Sequence, residues 1–254
     1  MALALEIALA LVSGVFLFAL LQRAFFPAKP AGHPSLFGQM DIAVALTLSV
    51  LFGWLAIGLF SAPEKPFTES DILGSLIMQA LFGSAVLGYL AIRKIPLRDY
   101  FGLDHRSAWK SILLGFVLML GILPCIGILA NVLNTEPASE QAAVKFFRGS
   151  TSLQARVMLA FMAVVVAPVV EEMVFRGLLY RIFQGYFGKI SAMFFTSVLF
   201  AAIHGNIPTL LPLTLLAFGL TAGLELTGSL LVNIAMHATF NGISLLFLLN
   251  EGAR

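Results

Sequence analysis

Eight long apolar runs follow one another along the chain, and they limit the fold more than any other feature. A run of about 18 or more apolar residues can cross a bilayer as a helix. Helices satisfy their own backbone hydrogen bonds, which the bilayer core requires. The sequence therefore predicts an all-α fold, a polytopic membrane helix bundle of about eight transmembrane helices. The runs cover residues 3–24, 40–61, 71–93, 109–133, 153–183, 189–205, 208–224 and 229–249.

Composition supports a membrane protein and excludes other classes. Of 254 residues, 59% are hydrophobic and 11% are charged, whereas soluble domains carry about 25% charged residues. The net charge of +2 is too small and too scattered to indicate a nucleic-acid partner. The single cysteine, Cys125, excludes an intrachain disulfide framework. We expect a multi-pass protein of a cytoplasmic membrane of bacterial type.

The loops are short, so one integral membrane domain with three parts is expected. Residues 1–135 hold the first four helices, and residues 153–254 hold the last four. Between them, residues 136–152 mix charges with Phe146 and Phe147. This mixture predicts an amphipathic helix that lies at the membrane interface.

Basic residues predict the orientation. The loop between the third and fourth runs is rich in them, and the positive-inside rule then places odd-numbered loops in the cytoplasm and both termini outside. Basic residues near the fourth loop oppose this assignment. The basic residues between the third and fourth runs are Arg93, Lys94, Arg98, Arg106 and Lys110, and those near the fourth loop are Lys145, Arg148 and Arg156.

Glu171, Glu172 and Arg176 are ionisable residues at membrane depth in the fifth apolar run. Charges at this depth cost several kcal/mol by most estimates and usually mark a polar interior or a functional site. Glu172 and Arg176 have i, i+4 spacing with the acid first, the favourable order for an ion pair. Glu171 points about 100° away from Glu172 around the helix. We therefore interpret Glu172–Arg176 as a structural pair and Glu171 as the carboxylate that faces a cavity.

Two further pairs of residues with i, i+4 spacing follow in later runs, and each pair shares one helix face. Counted from the loops near Tyr186 and Leu226 at 1.5 Å per residue, the polar members fall in one depth band. This agreement predicts one shared cavity. The pairs are Phe200 with His204 and His237 with Asn241.

These residue types suit hydrolysis. A carboxylate can act as a general base on water, imidazoles can orient that water, and an amide can donate to an oxyanion. Each residue alone also has a simpler interpretation. A single His or Asn in a membrane helix often forms an interhelical hydrogen bond, and Phe200 suits a wall of the cavity. The functional interpretation depends on the combination.

The same residues resemble the CAAX prenyl protease 2 type, also called the CPBP or Abi group of intramembrane peptidases. That family's motifs are Glu-Glu-x-x-x-Arg, Phe-x-x-x-His and His-x-x-x-Asn, and all three occur here in order. The resemblance covers roughly residues 150–250. The motif residues are Glu171, Glu172, Arg176, Phe200, His204, His237 and Asn241.

The resemblance implies an intramembrane endopeptidase that hydrolyses a peptide bond of a membrane-associated, in some members lipidated, substrate. Glu171 would activate the water and His204 would assist it. His237 and Asn241 would form the oxyanion site, while Glu172, Arg176 and Phe200 would support its structure.

Three alternatives stay open at this point. The family resemblance implies no cofactor, but Glu171, His204 and His237 could together bind a divalent metal such as zinc. A non-catalytic immunity or scaffold protein could keep the motifs without cleaving anything. Glu and His in a helical bundle also occur in proton-coupled transporters, although no inverted repeat is visible here.

Overall fold

The computed structural model of the chain describes residues 37–61, 65–103, 107–132 and 142–251. Within these ranges the chain forms helices and no strand, which confirms the all-α prediction. The helices are α1 (Gln39–Ser61), α2 (Glu69–Ile92), α3 (Leu97–Tyr100), α4 (Ala108–Val132), α5 (Ala142–Gly149), α6 (Leu153–Phe187), α7 (Lys189–Ala202), α8 (Ile207–Thr227) and α9 (Leu230–Glu251).

Seven of the eight apolar runs correspond to helices, and the predicted run 3–24 lies outside the described residues. Six of the described helices, α1, α2, α4, α6, α8 and α9, are long and apolar enough to cross a membrane. The seventh, α7, has only 14 residues, or about 21 Å, against a bilayer core of about 30 Å. It ends at Ala202, and Gly205 then takes a positive φ of 63° that ends the helical path.

Helix α6 is not uniformly α-helical. Its 35 residues include two π-helical segments, Met162–Val166 and Met173–Leu179, on either side of the α-helical segment Ala167–Glu172. Pro168, inside that segment, has no N–H to donate, so a regular hydrogen-bond ladder cannot pass it unchanged. Single π turns inside α-helices are frequent at functional sites.

The chain divides into two compact units, and each is discontinuous in sequence. The first unit contains α1 and residues 178–218; the second contains residues 65–177 and 219–251. In the first unit, α1 packs on α7 and on the end of α6. The ring of Phe183 meets that of Phe195 edge-on, with centroids 4.9 Å apart.

The second unit is built around close packing of α4 on α9. A Cβ at Gly115 would lie 2.4 Å from the backbone oxygen of Val232 and 2.6 Å from Ala235 Cβ, so only glycine fits this approach. The turn after α3 is tied to the start of α9, because Leu230 N donates to the backbone oxygen of Phe101 at 2.9 Å. These contacts fix the start of α9.

Helix α5 covers part of the second unit. Phe147 is buried in a cluster with Ile72, Ala155 and Leu159, and Phe146 packs on Phe67 with ring centroids 5.5 Å apart. The apolar side of this short helix therefore contacts protein. Its location at the membrane interface stays a prediction, and residues 136–141 lie outside the described residues.

Candidate active site

The two adjacent carboxylates of α6 have different surroundings. Both lie at the end of the α-helical segment that separates the two π turns. The Glu172 side chain is fully buried, whereas the Glu171 side chain keeps 17% of its surface exposed. The adjacent positions thus hold one enclosed carboxylate and one that a small molecule can approach.

Glu172 is the centre of a buried hydrogen-bond network. Its Oε1 accepts from Arg176 Nη1 at 2.8 Å and pairs with His237 Nδ1 at 3.0 Å. Its Oε2 accepts from Asn233 Nδ2 at 3.4 Å. The predicted Glu172–Arg176 pair is present, and the contact with His237 is an addition that helical spacing did not indicate. A buried carboxylate needs such donors to offset its lost hydration.

Within the second unit, the same network joins residues of three helices. Asn233, fully buried on α9, also donates from Nδ2 to the backbone oxygen of Leu220 on α8 at 2.7 Å. Arg176 Nε donates to Thr221 Oγ1 at 3.4 Å. The carboxylate of Glu172 therefore stands where α6, α8 and α9 are held together.

His237 stands between the two carboxylates. Because Glu172 accepts at Nδ1, that nitrogen carries a hydrogen, and this assignment follows from the partner rather than from an observed proton. The other ring nitrogen, Nε2, lies 3.8 Å from Glu171 Oε2. This distance is too long for a direct hydrogen bond, but one water can reach both atoms. The pair can therefore hold a water between a carboxylate oxygen and an imidazole nitrogen.

Glu171 has a second partner, on α2. Gln79 Nε2 donates to Glu171 Oε1 at 3.4 Å. The three motifs did not indicate Gln79, because it lies far from them in the sequence. The sequence feature that could have indicated Gln79 is its position as an amide in the middle of an apolar run.

Asn241 lies one turn after His237 on α9 and holds a π turn of α6. Its Nδ2 donates to the backbone oxygen of Ala163 at 2.7 Å. The ladder here has the i, i−5 spacing, since Ala167 N bonds to the oxygen of Met162. In that spacing the N–H of residue 168 would donate to the oxygen of Ala163, but residue 168 is a proline and has no N–H. The Asn241 side chain replaces the missing donor.

The second π segment also accepts a hydrogen bond from a side chain outside α6. Tyr100 Oη, at the end of α3, donates to the backbone oxygen of Gly177 at 2.6 Å. A Cβ at Gly177 would come within 2.9 Å of the Phe101 ring, so the glycine allows this turn to approach α6. Side chains from other helices thus donate hydrogen bonds to one backbone carbonyl in or beside each of the two π segments that flank the carboxylates.

His204 and Phe200 belong to the first unit. Helix α7 ends with an i, i−3 hydrogen bond from His204 N to the backbone oxygen of Ala201, and not to that of Phe200. The backbone oxygen of Phe200 accepts a hydrogen bond from the His204 side chain, from Nδ1, at 2.8 Å. Since a carbonyl only accepts, Nδ1 carries the hydrogen and Nε2 is left as the acceptor of the neutral ring. The Phe200 ring is fully buried and stands 5.0 Å from the imidazole.

The structure therefore brings Glu171, Glu172, Arg176 and His237 into one cluster and places Asn241 against the backbone of the same helix. That His204 shares their cavity stays a prediction of the sequence. Within the described ranges, no group of three His, Cys, Asp or Glu side chains is arranged to hold a metal ion.

Part of the chain is similar to a known family. Residues 153–243 match the Rce1-like model, described as type II CAAX prenyl endopeptidase Rce1-like. This segment is therefore similar to that family. The match confirms the resemblance that the three motifs indicated, and it includes Glu171, Glu172, Arg176, Phe200, His204, His237 and Asn241.

The Rce1-like family is a protease family, and with the apolar helices it indicates an integral membrane protein that acts on peptide bonds. The match begins at the start of α6, so α1 to α5 lie outside it. Neither a curated protein nor a solved structure matches the chain.

Proposed function

We propose that this protein is an intramembrane endopeptidase that hydrolyses a peptide bond of a membrane-associated substrate, with Glu171 as the general base. The observation that supports this most is that His237 lies between the carboxylates of Glu172 and Glu171. One carboxylate fixes the imidazole at 3.0 Å, and the imidazole faces a second, more accessible carboxylate at 3.8 Å. A base, an orienting ring and a group that fixes the ring are the usual parts of a hydrolytic site.

The proposed reaction starts from a water between Glu171 Oε2 and His237 Nε2. Glu171 takes one proton while the water oxygen bonds to the substrate carbonyl carbon, which gives a tetrahedral oxyanion. The C–N bond then breaks, and the proton held by Glu171 passes to the leaving amine. The products are a carboxylic acid and an amine, which exchange a proton to give a carboxylate and an ammonium ion, and the base returns to its ionised form.

The oxyanion requires donors, and by the resemblance these are His237 and Asn241. The Asn241 amide has two hydrogens, and donation to Ala163 uses one of them. The other can point to the substrate. His237 can donate from Nε2 when the ring is doubly protonated, and Glu172 would stabilise that cation through Nδ1.

His204 would assist by accepting from the water through the neutral ring or, when the ring is doubly protonated, by donating to the substrate carbonyl and polarising it. Its Nδ1 is already used by the Phe200 carbonyl, so Nε2 is the atom that would act. The proposed reaction has no step through a metal or cofactor.

The proposed substrate is a peptide or protein in the bilayer, with lipidated proteins as one class. The family description names CAAX prenyl endopeptidases, and a site on transmembrane helices is reached most directly by a chain that is itself held in the membrane. The rival functions are a scaffold or immunity protein that keeps the motif and, with less support, a proton-coupled transporter.

Terminal proteomics tests this proposal across all membrane proteins at once, so the substrate need not be chosen beforehand. Membranes that contain the wild type are compared with membranes that contain Glu171→Gln, which preserves the size of the side chain and removes the base. New protein termini that depend on Glu171 are expected in membrane-associated proteins. A transporter or a scaffold would give the same termini in both samples.

A further inference from the structure

Gln79 lies in the middle of a membrane-spanning helix, where an amide is unfavourable unless it is hydrogen-bonded. It lies roughly halfway along the 24-residue helix α2, and the surrounding run is apolar. An amide at this depth has little water to bond and therefore needs a protein partner. The partner in the structure is Glu171, at 3.4 Å.

The packing of α2 on α6 places the amide there. Gly83, one turn after Gln79, is buried, and a Cβ at this position would touch Val170 Cγ2 at 3.4 Å. Val170 directly precedes Glu171. The glycine thus lets α2 lie close to α6 at the level of the carboxylates, within reach of a glutamine side chain.

The contact divides the two oxygens of Glu171. Gln79 donates to Oε1, while Oε2 is the oxygen that faces His237. A carboxylate held at one oxygen cannot rotate about its last side-chain bond without losing that hydrogen bond. The orientation in which Oε2 points to the His237 side is therefore favoured.

We infer that Gln79 is a positioning residue that holds the Glu171 carboxylate in the orientation needed to take a proton from water. This inference rests on the proposed function. It adds to the motif residues a side chain from α2, outside the Rce1-like segment 153–243. Gln79 contacts the base and not the reacting atoms, so its effect is on turnover and not on substrate binding.

The test uses the full-length purified protein and a peptide copied from a sequence that wild-type membranes cleave in a Glu171-dependent way. Gln79→Met preserves length and removes the donor, and Gln79→Leu does so with a different shape. Ser84→Ala is the matched control, because it removes an exposed hydroxyl from the same helix. The measurements are kcat, KM and the thermal midpoint of each variant.

The expected result for Gln79→Met is a fall in kcat of roughly 10-fold or more, since misplacing a catalytic group by about 1 Å costs on the order of 100-fold. The KM and the midpoint should stay at wild-type values, as should all three quantities for Ser84→Ala. A purely structural amide would instead lower the midpoint and leave kcat unchanged, which would overturn the inference. Loss of folding in both Gln79 variants would overturn it as well.

The outcomes separate this inference from the proposed function. Wild-type membranes without any Glu171-dependent terminus would contradict the proposed function itself. Glu171-dependent cleavage together with a wild-type kcat in Gln79→Met would contradict only the role of Gln79.

Discussion

His237 is held at one ring nitrogen by Glu172 and faces Glu171 with the other. The sequence predicted that Glu172 would pair with Arg176, because i, i+4 neighbours on one helix meet by geometry alone. It could not predict the bond to His237, which joins residues 65 positions apart. Such a contact depends on how α6 and α9 are rotated against each other. Glu172 therefore combines support of the fold with orientation of the imidazole.

Substitution of Glu172 should show both contributions. Glu172→Ala leaves Arg176 buried without its carboxylate, and we expect a loss of roughly 3–5 kcal/mol in the free energy of unfolding. Glu172→Gln keeps an oxygen that can accept from His237, so it should fold better and keep more activity than the alanine variant. Thermal unfolding and cleavage rates of the two proteins provide the measurement. Equal stability of Glu172→Ala and the wild type would show that the pair does not support the fold.

His204 should be needed for turnover and not for folding. His204→Gln keeps a donor for the Phe200 carbonyl but lacks the imidazole, so we expect the thermal midpoint to stay near that of the wild type. The cleavage rate should fall roughly 100-fold or more, the scale of a lost acid–base group. A His204→Gln protein with wild-type cleavage would remove His204 from the proposed mechanism.

At the scale of single helices, apolar length predicted the positions of α1, α2, α4, α6, α8 and α9, because spanning length and helix periodicity are written directly in the sequence. The π turns of α6 were not predicted. The first involves Pro168, which lacks an N–H, and Asn241 on α9, which donates to the oxygen of Ala163; in the second, Tyr100 donates to the oxygen of Gly177. Hydropathy contains no information on either hydrogen bond. The run 189–205 predicted α7 as well, although the helix ends at Ala202, a few residues before the run does, and its end depends on the backbone conformation near Gly205.

The link between Pro168 and Asn241 gives a double-mutant prediction. Asn241→Ala leaves the carbonyl of Ala163 without its donor and should cost about 1–3 kcal/mol in the free energy of unfolding. In a Pro168→Ala background, residue 168 has an N–H that can serve that carbonyl, so the same substitution should cost less. Thermal unfolding of the four proteins measures the coupling. Strictly additive effects would contradict the replacement of one donor by the other.

Activity in the same four proteins separates the two roles of Asn241. If the amide also donates to the oxyanion, Pro168→Ala should rescue the stability of Asn241→Ala but not its cleavage rate. Recovery of both would mean that Asn241 acts only through the backbone of α6.

At the scale of the whole molecule, the sequence predicts that the basic loop between α2 and α4 lies in the cytoplasm. Single cysteines at two exposed positions test this in a Cys125→Ser background: Ser107→Cys in that loop and Thr151→Cys before α6. A membrane-impermeant maleimide should label position 107 from the cytoplasmic side and position 151 from the opposite side. The reverse pattern would invert the orientation.

The central claim, that Glu171 activates water for peptide-bond hydrolysis, is tested most directly by the cleavage rate of purified wild type against Glu171→Gln. The substrate is a peptide cleaved by wild-type membranes, and the thermal midpoints of the two proteins are compared in the same detergent. We predict equal midpoints and a loss of about 100- to 10,000-fold in rate, the contribution of a general base. A Glu171→Gln protein that folds and cleaves at the wild-type rate would contradict the claim.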